Sequence, residues 1–339
     1  MNGAVYLQTN DAERNEVVAF ARKADGTLEP HGRFATGGQG SGTPHLTSQG
    51  SVVLSADGGH LLVTNAGSAD VSVLAVAADG LTLVDLKPSG GAAPQSVAER
   101  DGLVYVLNTA EPASVAAFRL DRDQLTVVGE PRALSAPAAD PAQVGFSPDG
   151  STLVVTERGT DSIITFAIEG DGRLGEPRVH ASSGPTPYGF SFAGGDTLVV
   201  TEAFGAQTGK AAASSYRLAG GELTPLTRSL GNGRSEICWA VTSPDGRYVF
   251  TTNFADGAVS RYAVGDGGSI ALDDAVAATA VEGQTGLRDE DLSADGRFLY
   301  AVDADSRQVF GWELADGGQL RPIGSWDGLP ATIAGLAAS

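Results

Sequence analysis

Short runs of apolar and β-branched residues alternate along the whole chain with turns that are rich in glycine, aspartate and serine. The clearest unit spans residues 236–264, EICWAVTSPDGRYVFTTNFADGAVSRYAV. One strand pattern ends at the SPDG sequence of residues 243–246, and two more follow at residues 247–253 and 258–264. In SPDG the proline fixes φ, the aspartate bonds nearby backbone and the glycine accepts a positive φ, so the sequence predicts a turn between two strands.

The same unit recurs with a spacing of about 44–51 residues, which is the length of a four-stranded propeller blade. Each turn is followed by two apolar strand patterns and then by a fourth, less apolar one. The turn sequences are SADG at residues 55–58, RDG at 100–102, SPDG at 147–150, AGG at 193–195, SPDG at 243–246 and SADG at 293–296. Long helical patterns are absent, and the 46 glycines agree with a chain dense in turns.

The two ends of the chain together complete one further blade. Residues 4–8, 17–22 and 27–34 read as its second, third and fourth strands, and residues 331–337 supply the missing first strand. A C-terminal strand that joins the N-terminal blade closes the ring and removes exposed sheet edges. We therefore predict an all-β fold in which residues 1–339 form a single seven-bladed β-propeller of four-stranded antiparallel blades.

The charge balance limits the partners of this fold. The chain has 22 Lys+Arg against 41 Asp+Glu, a formal net charge of −19, which argues against nucleic acid and against anionic membranes as partners. We expect a small-molecule ligand instead. The single cysteine, Cys238, excludes intramolecular disulfides and any cysteine-based zinc site. The chain opens in a strand pattern without a signal peptide, and no apolar run approaches the length of a membrane helix, so we expect a cytoplasmic protein.

Propeller geometry places the candidate site around the central channel. The innermost strands begin, and the second strands end, on one and the same face of the disc, whereas the SPDG turns lie on the other face. The innermost strands begin with His45, Gln49, Gln95, Gln143, Tyr188, Glu236, Cys238, Trp239 and residues 288–291. The second strands end with Asn65, Asn108, Glu157, Glu202, Asn253 and Asp303. The asparagines are expected to cap turns, whereas Glu157 and Glu202 are better candidates for binding because glutamate forms such caps poorly.

Four charged residues in succession, Arg288-Asp289-Glu290-Asp291, occupy a strand that should be mostly apolar or small. Burying unpaired charge is costly, so these groups must be paired, solvated or bound to a ligand. One interpretation is a structural arginine–carboxylate network between blades. The other is functional: Arg288 fixes a carboxylate or an oxyanion, and Glu290 or Asp289 transfers protons.

The neighbouring blade opens on the same face with Glu236, Cys238 and Trp239. Cys238 is either a small packed residue or a nucleophile that would need an adjacent base. His45 is either a general base or a structural residue, and the four scattered histidines do not suggest a metal site. We expect no cofactor and no metal, with an acidic Ca²⁺ site as the alternative. The long connection at residues 203–213, which includes Phe204, is either a mobile surface loop or a cover for the channel mouth.

The segments DPAQVGFSPDG, TPYGF, EICWAVTSPDGRYVFTTN and LSADGRFLYAVD give the chain its resemblance to a known family. The chain resembles the lactonase-like seven-bladed propellers, which include propeller-type 6-phosphogluconolactonases and fungal 3-carboxymuconate lactonizing enzymes. The resemblance implies a metal-free site at the channel mouth that uses His, Arg and Glu. Arg288 is similar to an arginine that opens a family strand, and His45 to the histidine of a family Pro-His pair.

The chain also departs from this family. The stretch LTSQGSVVL after His45 is longer than the simple form, and the charged continuation of Arg288 is unusual. Arg158 and Arg234 are the further arginines near the mouth that would suit a phosphosugar. Because the protein is so acidic, a phosphorylated substrate is disfavoured.

These observations lead to two hypotheses. In the first, the protein is an enzyme that hydrolyses, forms or isomerises a small lactone or carboxylic acid at the channel mouth. Arg288 holds the substrate, and Glu290, Glu236 or His45 is the general acid or base. The remaining predicted binding residues are Gln49, Gln143, Tyr188, Glu202, Phe204, Trp239 and Asp289. In the second, a non-catalytic propeller binds a small ligand or a protein on the same face.

Overall fold

The computed structural model describes residues 3–44 and 46–339, and these residues form seven antiparallel sheets. In each sheet the strands follow one another from the channel outwards, as the repeat predicts. We number the sheets as blades 1 to 7 along the chain. We call the face on which the innermost strands begin the upper face, and the face of the SPDG turns the lower face.

The strands of each blade have the following bounds. Blade 1 contains β1 (Ala4–Gln8), β2 (Glu16–Arg22) and β3 (Leu28–Ala35). Blade 2 contains β4 (Val52–Leu54), β5 (His60–Asn65), β6 (Asp70–Ala77) and β7 (Gly80–Pro88). Blade 3 contains β8 (Pro94–Arg100), β9 (Leu103–Asn108), β10 (Ser114–Asp121), β11 (Gln124–Val127) and β12 (Arg132–Ala133). Blade 4 contains β13 (Pro141–Phe146), β14 (Thr152–Glu157), β15 (Ser162–Ala167) and β16 (Arg178–Ala181).

The second half of the ring repeats this plan. Blade 5 contains β17 (Pro187–Phe192), β18 (Thr197–Glu202), β19 (Ala212–Ala219) and β20 (Glu222–Gly231). Blade 6 contains β21 (Ile237–Thr242), β22 (Tyr248–Asn253), β23 (Ala258–Val264) and β24 (Ile270–Thr279). Blade 7 contains β25 (Leu287–Leu292), β26 (Phe298–Asp303), β27 (Gln308–Ala315) and β28 (Gln319–Trp326). The last strand, β29 (Ala334–Ala338), belongs to blade 1.

Strand β29 closes the ring, which confirms the predicted closure. It pairs antiparallel with β1, with Ala338 opposite Val5 and Ala337 opposite Tyr6. Blade 1 is therefore built from both ends of the chain, and its innermost strand is not left as an open edge.

The SPDG and SADG turns adopt the predicted geometry. In the turn of blade 4 the Ser147 hydroxyl donates to Asp149 Oδ1 at 2.6 Å, and Gly150 has a φ of 72°. The hydroxyl of Ser147 and the backbone N–H of Ser151 lower the pKa of Asp149 to about 2. The charged aspartate thus organises the turn and is not available for proton transfer near neutral pH.

Two strands differ from the sequence pattern. The outer strand of blade 3 is split into β11 and β12, because Gly129 has a φ of 67° and Pro131 lacks an N–H to donate to the ladder. The innermost strand of blade 2, β4, is only three residues long. The residues before β4 leave the blade, and their path shapes the candidate site.

The core lies between the blades. Each interface joins the facing side chains of adjacent sheets: Phe298 and Tyr300 of blade 7, for example, pack with Val5 and Val18 of blade 1. The helical elements of residues 3–44 and 46–339 are single turns of three residues, Phe204–Ala206 and Asp316–Gly318. Neither approaches the length needed to cross a bilayer.

Candidate functional site

Residues 46–51, which we call the crossing segment, run across the upper end of the channel. The Gln49 carboxamide donates from Nε2 to the Ala240 carbonyl at 3.0 Å and accepts the Ala240 N–H at 3.1 Å. The Gln49 carbonyl accepts from Ser96 Oγ at 2.6 Å, and its N–H donates to Ala142 at 3.1 Å. Gln49 of blade 2 therefore touches blades 3, 4 and 6 and lies across the channel.

The wall of the channel is shaped to receive this segment. A Cβ placed on Gly189 would lie 2.5 Å from Gln49 Oε1 and 2.5 Å from the Cys238 carbonyl oxygen, so only glycine fits. The Trp239 indole N–H donates to the Ser48 carbonyl at 3.0 Å. Blades 5 and 6 thus fix the crossing segment in one position.

Gln143 makes the same kind of bond one blade away. It accepts the Phe190 N–H at 2.6 Å and donates to the Phe190 carbonyl at 3.2 Å. Phe190 and Ala240 hold equivalent places, each directly after the irregular step between the first and second strands. Innermost strands are sheet edges whose backbone groups need partners, and the two glutamines provide them. Substrate binding by Gln49 and Gln143 stays a prediction.

The charged strand β25 follows a similar rule. Asp289 Oδ2 accepts the Gly335 N–H at 3.1 Å, and Asp291 Oδ2 accepts the Ala338 N–H at 2.9 Å. Two carboxyl groups therefore tie blade 7 to the closing strand β29 through backbone amides. Burial raises the pKa of both Asp289 and Asp291 to about 7. The predicted structural network between blades is present in this form, with backbone N–H groups in place of arginines.

Glu290 lies between these two aspartates and is only 3% exposed. Neither of its carboxyl oxygens makes a hydrogen bond of ordinary geometry within residues 3–44 and 46–339, although the Thr252 amide is near enough to act on its pKa. Burial and the neighbouring Asp291 raise the pKa of Glu290 well above its usual range. Burial therefore favours the protonated form of Glu290.

Arg288, which precedes them, points to the upper face. Its side chain is buried, its Nη1 donates to the Pro44 carbonyl at 2.6 Å, and its guanidinium carbon lies 5.5 Å from the centre of the Phe254 ring. Its Nε has no hydrogen-bond partner in the part of the chain that the structure describes. Burial lowers the pKa of Arg288, and Asp289 and Asp305 oppose that effect.

Tyr188 is a second buried donor near Arg288. Its ring meets the Trp239 ring edge-on at 5.5 Å, and the Arg158 guanidinium carbon lies 5.0 Å from its centre. Its hydroxyl has no partner among the described residues. Burial raises the pKa of Tyr188 well above its usual value, with a further contribution from Cys238. Tyr188 therefore stays a neutral donor.

Glu236 and Cys238 complete the cluster. Glu236 is half-buried, and burial raises its pKa. Its φ of 53° recurs at the equivalent Ala93, Asp140 and Thr186, so this conformation belongs to the fold. The Cys238 thiol is buried and donates to the Glu236 carbonyl at 3.3 Å, and burial raises its pKa far above the usual range. A thiol held protonated in this way is a packing residue and a poor nucleophile.

These residues form what we call the upper group. Its members are Arg158, Tyr188, Glu236, Cys238, Trp239, Phe254 and Arg288. The structure thus brings together the predicted Arg288, Tyr188 and Trp239, and Glu236 adjoins them through its backbone carbonyl, which accepts from the Cys238 thiol. Arg158, which the sequence placed near the mouth, joins them, and its contact with the Tyr188 ring was not predicted. The predicted His45 lies outside the described residues.

The last residues of the second strands form a different set, which we call the outer ring. It consists of Asn65, Asn108, Glu157, Glu202, Asn253 and Asp303, all fully buried. Glu202 Oε1 accepts the Gly184 N–H at 2.9 Å and the Ser214 hydroxyl, so its carboxyl group faces its own outer strands. Asn253 donates to the Ala258 carbonyl at 3.0 Å across its turn, as expected of a cap. The structure does not bring Glu202 into the upper group, and its role in binding stays a prediction.

The long connection of blade 5 folds against the upper face. Phe204–Ala206 forms one 3₁₀ turn, and Phe204 is half-buried. The Gly205 N–H donates to Thr186 Oγ1 at 3.0 Å, and the Gly209 N–H donates to Ser235 Oγ at 2.9 Å. The loop is therefore tied to the starts of β17 and β21, and substrate binding by Phe204 stays a prediction.

A cavity of about 750 Å³ occupies the channel below the crossing segment. It reaches from Asp57, Glu99 and Arg100 near the lower-face turns up to Gln49 and Gln143, with Asp289, Glu290 and Asp291 along one wall. The sequence assigned the lower face to turns alone and gave no sign of this cavity. Within residues 3–44 and 46–339, no three His, Cys, Asp or Glu side chains converge in a way that could hold a metal ion.

Comparison with known proteins identifies relatives of the whole chain. The family model described as lactonase, 7-bladed beta-propeller, matches residues 11–137, 124–205 and 199–332. A search of curated proteins found no significant match to the sequence.

Solved structures with the same architecture are distant in sequence. A proposed 6-phosphogluconolactonase from Bacteroides uniformis is 20% identical with a TM-score of 0.76, and the match covers 99% of this chain and 100% of that one. A periplasmic gluconolactonase from Pseudomonas aeruginosa is 18% identical with a TM-score of 0.76, over 99% of this chain and 98% of that one. At such identities the likeness establishes the fold alone.

Proposed function

Because the chain belongs to the lactonase family of seven-bladed β-propellers, we propose that it hydrolyses a small lactone at the upper group. The observation that supports this site is a pair of buried donors without partners among the described residues, Arg288 Nε and the Tyr188 hydroxyl. A buried donor without a partner is costly, and a carbonyl oxygen or carboxylate of a ligand would satisfy both.

The upper group suits the developing charge of lactone opening. When water attacks the lactone carbonyl carbon, negative charge grows on the carbonyl oxygen. Donors already in place stabilise that charge without reorganisation, which is a major term in acyl-transfer catalysis. In this proposal Arg288 and Tyr188 are those donors, and the neutral Tyr188 donates because its pKa is raised.

Glu236 is the general base of the proposed reaction. Its carboxylate takes one proton from the attacking water, the ring C–O bond breaks, and the protonated Glu236 returns the proton to the leaving ring oxygen. The product is the hydroxy acid, and the reverse sequence would form a lactone. Glu236 is half-buried with a raised pKa, whereas Glu290 lines the cavity below the crossing segment and Cys238 is a buried thiol.

The proposal is tested first by a thermal-shift screen with lactones, sugar acids and muconates, and then by hydrolysis assays on the ligands that bind. Arg288→Ala should lower kcat/KM by at least about 100-fold, since removing one oxyanion donor costs that much. Arg307→Ala, an exposed arginine on the same face, is the matched control and should leave turnover unchanged. Ligand stabilisation without turnover above the spontaneous rate would contradict the proposal and favour a binding propeller.

A further inference from the structure

We infer that the substrate of this site carries no phosphate and at most one negative charge, an inference that rests on the proposed function. Two of the solved neighbours are proposed 6-phosphogluconolactonases. A phosphate monoester carries a charge of about −1.5 to −2 at neutral pH and needs several unneutralised donors. The charges at the upper face of this chain do not supply them.

Arg158 is already neutralised. Its Nη2 forms an ion pair with Asp140 and also donates to Thr47 Oγ1 at 2.9 Å in the crossing segment. Its guanidinium group at the same time covers the Tyr188 ring. Arg158 thus holds the site together and has little charge left for a ligand.

Arg234 is neutralised as well. Its Nε lies 3.1 Å from Asp256 Oδ2 without the alignment of a hydrogen bond, and both side chains are partly buried, which strengthens the attraction between the two charges. Both arginines that would suit a phosphosugar are therefore bound to carboxylates of their own face.

Arg288 is left as the cation of the site. It forms no ion pair within residues 3–44 and 46–339, and Asp289 and Asp305 already act on its charge. One guanidinium group matches one carbonyl oxygen or one carboxylate. A dianion would bring more charge than Arg288 can balance.

Three further cations, Arg14, Lys210 and Arg307, are exposed on turns between second and third strands, and Arg14 is paired with Glu16. Exposed charges such as these are screened over about 8–10 Å at physiological salt. If the inference is wrong, Lys210 and Arg307 are the residues expected to bind the phosphate group of the substrate.

The test compares glucono-1,5-lactone with its 6-phosphate in the same assay, with spontaneous hydrolysis subtracted. We expect kcat/KM to be at least about tenfold higher for the unphosphorylated lactone, the size of one lost charge interaction. Added salt should narrow this ratio because it screens the repulsion. Equal or faster turnover of the phosphorylated lactone overturns the inference and leaves the proposed function standing. Failure to hydrolyse these two lactones and every other lactone of the screen overturns both.

A charge variant separates the electrostatic cause from shape. Asp256→Asn frees Arg234 and should raise kcat/KM for the phosphorylated lactone several-fold, with little effect on the neutral one. Asp266→Asn removes one exposed charge elsewhere and is the control. Thermal shifts with gluconate and 6-phosphogluconate give a second readout that does not depend on turnover. If the ratio of kcat/KM for the two lactones is the same in Asp256→Asn as in the wild type, the inference is contradicted. The inference is also contradicted if the wild-type protein prefers the phosphorylated lactone and Lys210→Ala or Arg307→Ala removes that preference.

Discussion

The upper group and the outer ring lie on the same face of the propeller, and both consist of buried polar side chains. In the outer ring, Glu202 binds Gly184 and Ser214 around its own blade, whereas Asn65 also accepts from Asn15 Nδ2 of blade 1 at 2.9 Å. In the upper group the polar side chains reach across blades, and Arg288 Nε and the Tyr188 hydroxyl find no partner among the described residues. In the outer ring the buried atoms without a hydrogen-bond partner among the described residues are carboxyl oxygens, Glu202 Oε2 and Asp303 Oδ2, whereas in the upper group they belong to donors. Burial alone therefore does not separate the two sets, and the kind of group left without a partner does.

This comparison is tested by variants that should affect either activity or stability, but not both. Changes in the upper group should impair turnover and leave the fold intact. Changes in the outer ring should do the reverse. Gly189, against which the crossing segment packs, should affect both.

The largest effect is expected for Glu236→Gln. Loss of a general base lowers kcat by about 100-fold or more, and the half-buried amide should leave Tm nearly unchanged. Because burial raises the pKa of Glu236, the acidic limb of the wild-type pH profile should lie above the usual carboxylate range, and the variant should lack it. The measurement is kcat/KM against pH, which reports the pKa values of the free enzyme, with Glu202→Gln as the outer-ring control. An unchanged acidic limb in Glu236→Gln would assign the base to another residue.

The next effect is expected for Gly189→Ala. The new methyl would overlap the Cys238 carbonyl and the Gln49 carboxamide, and overpacking of this kind costs about 1–3 kcal/mol. Because the shift of Gln49 also moves Ser48 and Trp239, turnover should fall too. Chemical denaturation measures the loss. Gly170→Ala is the matched control, because nothing lies within 4 Å of its added Cβ, and its free energy of unfolding should change little.

The sequence was sufficient for the fold but not for the contacts of the site. The turn sequences and strand order predicted seven blades and their closure, because each blade repeats a local pattern that contacts only its neighbours. The site depends on contacts between distant blades. Gln49 and Ala240 lie 191 positions apart, and no local pattern indicates that they meet.

The same reasoning explains why the charged strand was ambiguous. Four charges in succession indicated either a network or a site, and the structure contains parts of both. Asp289 and Asp291 bind the amides of the closing strand, whereas Arg288 turns to the upper face. Which charge takes which role depends on the neighbouring blade that each side chain faces, and a single strand does not reveal that.

A smaller effect is expected for Glu202→Gln in the outer ring. At present one carboxyl oxygen accepts both the Gly184 N–H and the Ser214 hydroxyl. The glutamine either places an NH₂ group opposite these two donors or has to rotate its amide. A weakened buried hydrogen bond to a charged or polar partner costs about 1–2 kcal/mol. We expect a lower denaturation midpoint with kcat/KM within about twofold of wild type. A large loss of turnover at unchanged stability would move Glu202 from the outer ring into the site.

The smallest effect is a pH dependence of stability that originates in Asp289 and Asp291. Their pKa is about 7 in the folded state, against about 3.9 in an unfolded chain, so the folded state holds protons that the unfolded state has released. The stabilisation that comes from these bound protons is complete below about pH 3.9 and is lost as the pH rises to about 7. The free energy of unfolding should therefore fall across this window. The Asp289→Asn/Asp291→Asn variant keeps an acceptor for the β29 amides. Between pH 5 and 8 its free energy of unfolding should fall by at least about 1 kcal/mol less than that of the wild type. The control, Asp79→Asn/Asp266→Asn, removes two exposed charges and should follow the wild-type slope. Parallel slopes for all three proteins would show that the carboxyl groups of β25 do not titrate in this range.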